Sequence, residues 1–211
     1  MTETPARYKV DGIVDAERLR ELYAPARGRA VTKELPKLDR HCRSFIALSP
    51  FVVLASGAAG GHLDASPRGG EPGFVHVRGD HVLLIPDSPG NNRLDTMENI
   101  LSSGKVGLLF LVPGIDETLR VNGTARILDA PAALAPFAAS KRPPKCAIEV
   151  TVAQAYLHCA KAFMRSRLWD PATHVERSVL PTTGEMLREQ TGSAEPAETQ
   201  AEMIERYKAL L

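Results

Sequence analysis

Two arginines set among glycines and amides carry the first chemical signal in this chain. Arg68 follows Ser66 and Pro67 and precedes Gly69-Gly70, at the end of a stretch that begins Leu63-Asp64-Ala65. Glycines let backbone N–H groups approach a ligand closely, and a guanidinium beside them can make a forked, charge-assisted contact with phosphate. The alternative for Arg68 is a solvated loop cation. Asn91-Asn92-Arg93 follows Pro89-Gly90 and precedes a helical pattern. A helix start offers unpaired N–H groups to an anion. A plain helix favours an acid in its first turn, so a cation at that end makes sense beside a bound anion. Here the alternative is Asn92 as an N-cap with Arg93 turned to water.

A third cluster lies late in the chain. His158, Lys161, Arg165 and Trp169 recur at steps of three and four residues, which places them on one face of the helix expected over residues 153–166 and its extension. A cationic stripe ending in an aromatic suits a flat, negatively charged partner; the other reading is a charged solvent face. The sequence contains no H-E-x-x-H, C-x-x-C or G-x-S-x-G. Cations without acid–base machinery suit a protein whose cofactor supplies the hard chemistry.

The elements that must position these residues are mainly strands. Residues 51–55 form a continuous apolar run, and 62–66 lead back from a glycine-rich turn. Residues 67–73 are too rich in Pro and Gly to be regular. Strands over 74–78 and 81–85 flank Gly79-Asp80, a two-residue signal for a type II′ hairpin. Residues 93–103 read as a helix closed by Gly104, 106–112 as an apolar strand, and 117–128 as a long strand that bends at Gly123 through a bulge. A short helix opens at Asp129-Ala130-Pro131, and a last strand covers 147–152 before the helix over 153–166. Helices are also expected over 15–23, capped by Asp15, and over 38–48, with a basic, flexible segment at 27–29 between them. The tail is polar from Glu185, has a flexible joint at 192–196, and ends in an amphipathic helix over 198–211 carrying Met203, Ile204, Tyr207 and Leu210. Six or seven strands joined largely by hairpins predict a mainly β protein with α additions, an antiparallel barrel with flanking helices. There is no βαβ rhythm and no G-x-G-x-x-G, which argues against a doubly wound dinucleotide fold. The expected organisation is a helical segment over 1–48 packing on a barrel over 49–170, with an extension over 171–211.

Composition narrows the function classes. Lys and Arg number 26 against 25 Asp and Glu, a net charge of +1, so bulk attraction to nucleic acid or an anionic membrane is not expected. No apolar run approaches the ~18 residues of a membrane span. The polar start Met1-Thr2-Glu3 lacks an apolar signal core, and the expectation is a cytoplasmic protein. Cys42, Cys146 and Cys159 have neither disulfide-framework nor zinc-site spacing, and read as buried free thiols.

Several of these segments together resemble a known family. Leu63-Asp64-Ala65-Ser66-Pro67-Arg68, Ile85-Pro86, Asn92-Arg93 and Glu117-Thr118-Leu119-Arg120-Val121-Asn122-Gly123 resemble the pyridoxamine 5′-phosphate oxidase-related FMN-binding split-barrel family over residues 40–170. The nearest branch is one of uncharacterised flavoproteins with S-P-R-G, P-G-N-N-R and C-A-K-A-x-x-R-S-x-L-W signatures, here at 66–69, 89–93 and 159–169. The resemblance implies an FMN-binding split barrel and a homodimer with two FMN molecules at the subunit interface. It implies that Asp64, Ala65, Ser66 and Arg68 contact the flavin, that Ile85 and Pro86 lie near its ring or ribityl chain, and that Asn92 and Arg93 take the phosphate. Thr118 falls where the family often has an amide touching the cofactor, and Arg165 and Trp169 would reach the partner's flavin. The chain lacks the oxidase's basic cluster after the second flavin strand and its C-terminal Arg-x-His signature. The implied function is therefore an FMN-dependent oxidoreductase acting on an unknown small molecule. The alternatives are a non-catalytic flavin-binding or redox-sensing module, or a deazaflavin- or haem-binding relative.

Overall fold

The computed structural model describes residues 12–13, 15–88 and 90–208. The polar N-terminal residues 1–5, Pro89 of the P-G-N-N-R segment and Leu210 of the tail helix lie outside them. Two compact units are present, one up to Glu34 and one from Leu35 onward. The first holds α1 (Ala16–Leu22), whose expected N-cap Asp15 accepts the Arg18 N–H at 2.8 Å, and the single turn α2 (Arg29–Thr32), which includes part of the basic segment read as flexible.

The second unit opens with α3 (Arg40–Leu48), followed by β1 (Phe51–Gly57), β2 (Leu63–Gly69), β3 (His76–Arg78) and β4 (Val82–Pro86). Then come α4 (Asp95–Ser103), β5 (Lys105–Leu111), β6 (Thr118–Leu128), α5 (Pro131–Leu134) and β7 (Ala147–His158). The chain closes with α6 (Lys161–Ser166), α7 (Thr183–Thr191) and α8 (Gln200–Lys208). The seven strands form one sheet in the order β2-β1-β5-β6-β7-β4-β3, and every pairing is antiparallel. The terminal strands β2 and β3 are not paired with each other. Yet Val52 and Leu54 of β1 share one hydrophobic core with Val77 of β3 and Ile85 of β4. Strands near opposite ends of the sheet can share a core only if the sheet curls round, so the architecture is a barrel split between β2 and β3.

Helices close this core. Leu38, Cys42 and Ile46 repeat every four residues along α3 and its approach, and all three are buried in it. Asp39 caps α3 by accepting the Cys42 N–H at 2.8 Å. On α4, Met97 and Ile100 face inward, and Gly104 ends the helix in the left-handed conformation at φ +66°. Fully burying each such side chain contributes about 1.5–3 kcal/mol.

The predicted strand over 147–152 and helix over 153–166 are corrected. β7 runs on to His158, pairing with β6 as far as Thr118, and the helix that follows is only α6. Alanine-rich sequence favours helix locally, but a free edge on an eleven-residue β6 offers a ladder of hydrogen bonds that overrides this preference. The register shifts at Asn122/Gly123, as the glycine suggested, and the extra residue lies opposite, at Ala153. That insertion lets Val150 and Val152 on one side and Ala155 on the other all face the core. Gly123 is required there, because a Cβ would lie 2.0 Å from the Thr151 carbonyl oxygen.

Three further expectations change. Pro67, Arg68 and Gly69 belong to β2 rather than to an irregular loop, because they pair with Val53, Val52 and Phe51. Pro67 is tolerated because β2 is an edge strand. The β3–β4 loop contains three residues, since Arg78 pairs with Val82; two of its carbonyls are taken from outside the hairpin, Asp80 by the Leu38 N–H and His81 by the Val152 N–H, both at 2.8 Å. Ahead of the polar tail, α7 begins with a capping box between Thr182 and Glu185, a T-x-x-E signal legible in the sequence but passed over. Among the described residues no helix is long and apolar enough to cross a membrane.

Candidate functional site

The alternation of β2 sorts the first group of predicted residues. Asp64, Ser66 and Arg68 are half-buried on one face, while Leu63, Ala65 and Pro67 lie on the exposed face. The first three open onto a cavity of about 510 Å³, whose other walls are Phe74, the end of β4 with Asp87 and Ser88, residues 90–96, and Pro143-Pro144-Lys145. Arg68 and Arg93, 25 positions apart in sequence, therefore line one cavity together with Pro86 and Asn92.

Local hydrogen bonds hold these walls. The Thr96 hydroxyl of α4 donates to the Asp64 carboxylate at 2.7 Å, and Asn99 donates to the Ser56 hydroxyl at 3.1 Å, fastening α4 to β2 and β1. The Arg68 guanidinium donates to the Ser66 hydroxyl at 2.6 Å and to the Pro67 carbonyl at 2.8 Å. Arg93 donates through its guanidinium to Asp95, at 2.8 and 3.0 Å, and through its backbone N–H to the Asn91 side chain at 3.0 Å. Asn91 thus makes the side-chain bond expected of Asn92. Asn92 instead takes the left-handed conformation at φ +58°, which asparagine tolerates better than most residues. The residue preceding α4 is Leu94, which supplies no side-chain cap, so the N–H groups at this helix start have no capping side chain there.

The fourth wall comes from outside the predicted motifs. The Asp87 N–H donates to the Cys146 carbonyl at 3.0 Å, drawing the segment ahead of β7 against the end of β4. Burial pushes the Asp87 carboxyl above the ordinary carboxylate range, against the pull of Arg68 and Lys145. Three cations, Arg68, Arg93 and Lys145, and three carboxylates, Asp64, Asp87 and Asp95, line the cavity together. Sequence reasoning missed Phe74, Asp87, Thr96 and Lys145. A signal existed in Lys141-Arg142-Pro143-Pro144-Lys145, a basic run stiffened by two prolines.

The remaining predicted residues lie elsewhere. Ala65 faces outward, and Ile85 is fully buried in the core behind Pro86. Thr118 is buried at the start of β6, opposite His158 at the end of β7. The shared helix face expected for His158, Lys161, Arg165 and Trp169 is not formed, because His158 sits on a strand and α6 ends at Ser166. Arg165 is exposed. The Trp169 indole donates to the Ile115 carbonyl at 3.0 Å and packs on Phe163 at 5.4 Å between ring centroids. None of these residues lines the cavity within one chain. None of the three cysteines is in a disulfide; only Cys42 is fully buried, which pushes its thiol up to about 11, while Cys146 is half-buried and Cys159 exposed. Among the described residues no group of His, Cys, Asp and Glu could hold a metal ion.

No curated protein matches the chain. Similar solved structures include the Group A Streptococcus protein HupZ, 18% identical, covering 57% of this chain and 93% of that one at a TM-score of 0.48. An FMN-binding protein from Syntrophomonas wolfei subsp. wolfei is 14% identical, covering 56% and 83% at 0.43. A Clostridium acetobutylicum protein related to general stress protein 26, of the pyridoxinephosphate oxidase family, is 13% identical, covering 56% and 85% at 0.42. The family model described as pyridoxamine 5′-phosphate oxidase matches residues 38–159, from the approach to α3 through the end of β7. That span exceeds half of the 211 residues and contains the split sheet and the whole lining of the cavity, and the chain belongs to the pyridoxamine 5′-phosphate oxidase family.

Proposed function

We propose that this protein binds FMN in the cavity between β2 and α4 and acts as an FMN-dependent oxidoreductase on a small molecule. The observation that carries the reading is the convergence of Arg68 and Arg93 on one cavity. The cavity suits the group. Its 510 Å³ falls within the ~300–1,000 Å³ of typical ligand pockets. Phe74 and Pro86 offer apolar surface for a flat ring, and the amides at 91–92, Arg93 and the start of α4 offer donors for a phosphate. In this arrangement Arg93 and Asn92 hold the phosphate, Ser66 and Asp64 meet polar edges of the cofactor, and Pro86 borders the ring. A bound flavin supplies hydride and electron transfer; the chain's own residues bind, orient and exclude water.

The outer face of the sheet supports the homodimer implied by the resemblance. Register places Val53 between Pro67 and Leu109, Ala55 between Ala65 and Gly107, and Phe51 between Gly69 and Leu111. With Leu63, 90% exposed, these residues make an apolar surface suited to a second copy of the chain. Thr118, Arg165 and Trp169 lie outside the cavity of their own chain, and in the dimer they would serve the partner's. Cys42, Cys146 and Cys159, none of them in a disulfide, fit a reducing, cytoplasmic setting.

The purified protein is expected to be yellow, to have dimer mass by light scattering, and to quench FMN fluorescence on titration of the cofactor-stripped form. Replacing Arg93 with Gln removes a charged hydrogen-bond donor and should weaken FMN binding by roughly 10- to 100-fold. A colourless protein that neither quenches FMN nor gains thermal stability from it refutes the reading.

A further inference from the structure

The loop that joins β2 to β3 carries Phe74, the one aromatic side chain among the described residues that line the cavity. Three backbone bonds fix this loop. The Gly70 N–H donates to the Pro50 carbonyl at 3.1 Å, and the Gly73 N–H donates to the Ser49 carbonyl at 3.2 Å, so the loop is stapled at two points to the corner between α3 and β1. The Phe74 N–H donates to the Glu71 carbonyl at 2.9 Å and closes the turn. The corner itself is firm: Ser49 is 1% exposed, and its hydroxyl lies 2.7 Å from the carbonyls of both Phe51 and Leu111. Both glycines are needed. Gly73 has φ +81°, and a Cβ at Gly70 would lie 2.7 Å from the Phe74 Cβ and 2.9 Å from its Cγ. Phe74 packs partly against the core, in which the next residue, Val75, is buried. One part of this side chain is therefore held by the core while another part borders the cavity. A ring held in this way has little freedom left to lose when a ligand arrives.

We propose that Phe74 is a specificity-determining residue that gives the cavity affinity for a planar aromatic ring, whether or not the ligand carries a phosphate. This rests on the flavin reading, and it goes further by assigning ring recognition to one side chain on a stapled loop. The other apolar side chains at the cavity, Leu94 and the prolines at 86, 143 and 144, have no π-system. An aromatic pair in offset or edge contact gains stability beyond the area it buries.

The test titrates cofactor-stripped wild type, Phe74→Leu, Phe74→Tyr and Gly70→Ala with FMN and with riboflavin, by calorimetry, and thermal melting checks that each variant folds. Phe74→Leu should weaken FMN and riboflavin by the same factor, about three- to tenfold. Gly70→Ala displaces the ring without deleting it, and should weaken both ligands in the same way. Phe74→Tyr should recover most of the affinity. Its electron-rich phenol, in contact with the bound ring, should also shorten the fluorescence lifetime of bound FMN several-fold, a signature that a merely structural role for Phe74 would not produce. Phe74→Leu that binds both ligands like wild type, or that weakens FMN and spares riboflavin, overturns the assignment and leaves the flavin reading standing. Phe74→Tyr that binds as poorly as Phe74→Leu, or that leaves the lifetime unchanged, does the same. Wild type that holds FMN but not riboflavin puts the affinity in the phosphate and also overturns the assignment. Wild type that binds neither ligand refutes the flavin reading and the assignment together.

Discussion

The bond between Thr96 and Asp64 ties the helix beside Arg93 to the strand that carries Arg68. Thr96 is 3% exposed, and its hydroxyl reaches the carboxylate at 2.7 Å. Thr96→Val keeps the branched shape and removes the donor. A hydrogen bond to a charged group contributes about 1.5–3 kcal/mol. Asp64 is only half-buried, so water can take over part of the lost bond, and the expected cost falls to about 1–2 kcal/mol. For a chain of this size that corresponds to a Tm drop of about 2–8 °C. Thr96→Ser retains the hydroxyl and should recover most of the loss. A double-mutant cycle with Asp64→Ala, read by urea denaturation, isolates the pair and should give a coupling of about 1–2 kcal/mol. FMN affinity should fall several-fold in Thr96→Val as the two cavity walls loosen. The reasoning is refuted by a coupling indistinguishable from zero, or by Thr96→Ser proving as destabilising as Thr96→Val.

Two further perturbations probe the frame. Gly123→Ala places a Cβ 2.0 Å from the Thr151 carbonyl oxygen, a backbone atom that no rotamer change can move aside, so β6 and β7 must part. The expected loss is about 3 kcal/mol, a Tm drop of about 6–12 °C measured by calorimetry. Asp39→Ala removes the cap of α3 and should cost about 1 kcal/mol near neutral pH. The Cys42 N–H holds the Asp39 carboxyl below 3.8, so this stabilisation is complete above that value and is lost as pH falls through the folded-state pKa. Denaturation curves of variant and wild type should therefore converge in strong acid.

Much of the frame was legible because its signals are local. Apolar runs marked β1 and β5, and Gly104 marked the end of α4 by needing φ +66°. Gly123 marked the bulge, Asp15 capped α1, and Arg68 and Arg93 stood out by residue type among glycines and amides. Each of these depends on a few neighbouring residues, so sequence alone was enough. The residues the structure corrected depend on partners far away in the chain. Residues 153–158 are a strand only because β6 presents eleven residues to pair with, and alanine-rich sequence cannot announce that edge. His158 and Arg165 lost their shared face for the same reason. Lys145 and Asp87, 58 positions apart, meet because β4 pairs with the start of β7. Residue types and spacing set which side chains could bind an anion; the antiparallel pairing of distant strands, driven by closing one core, decided which of them share a cavity.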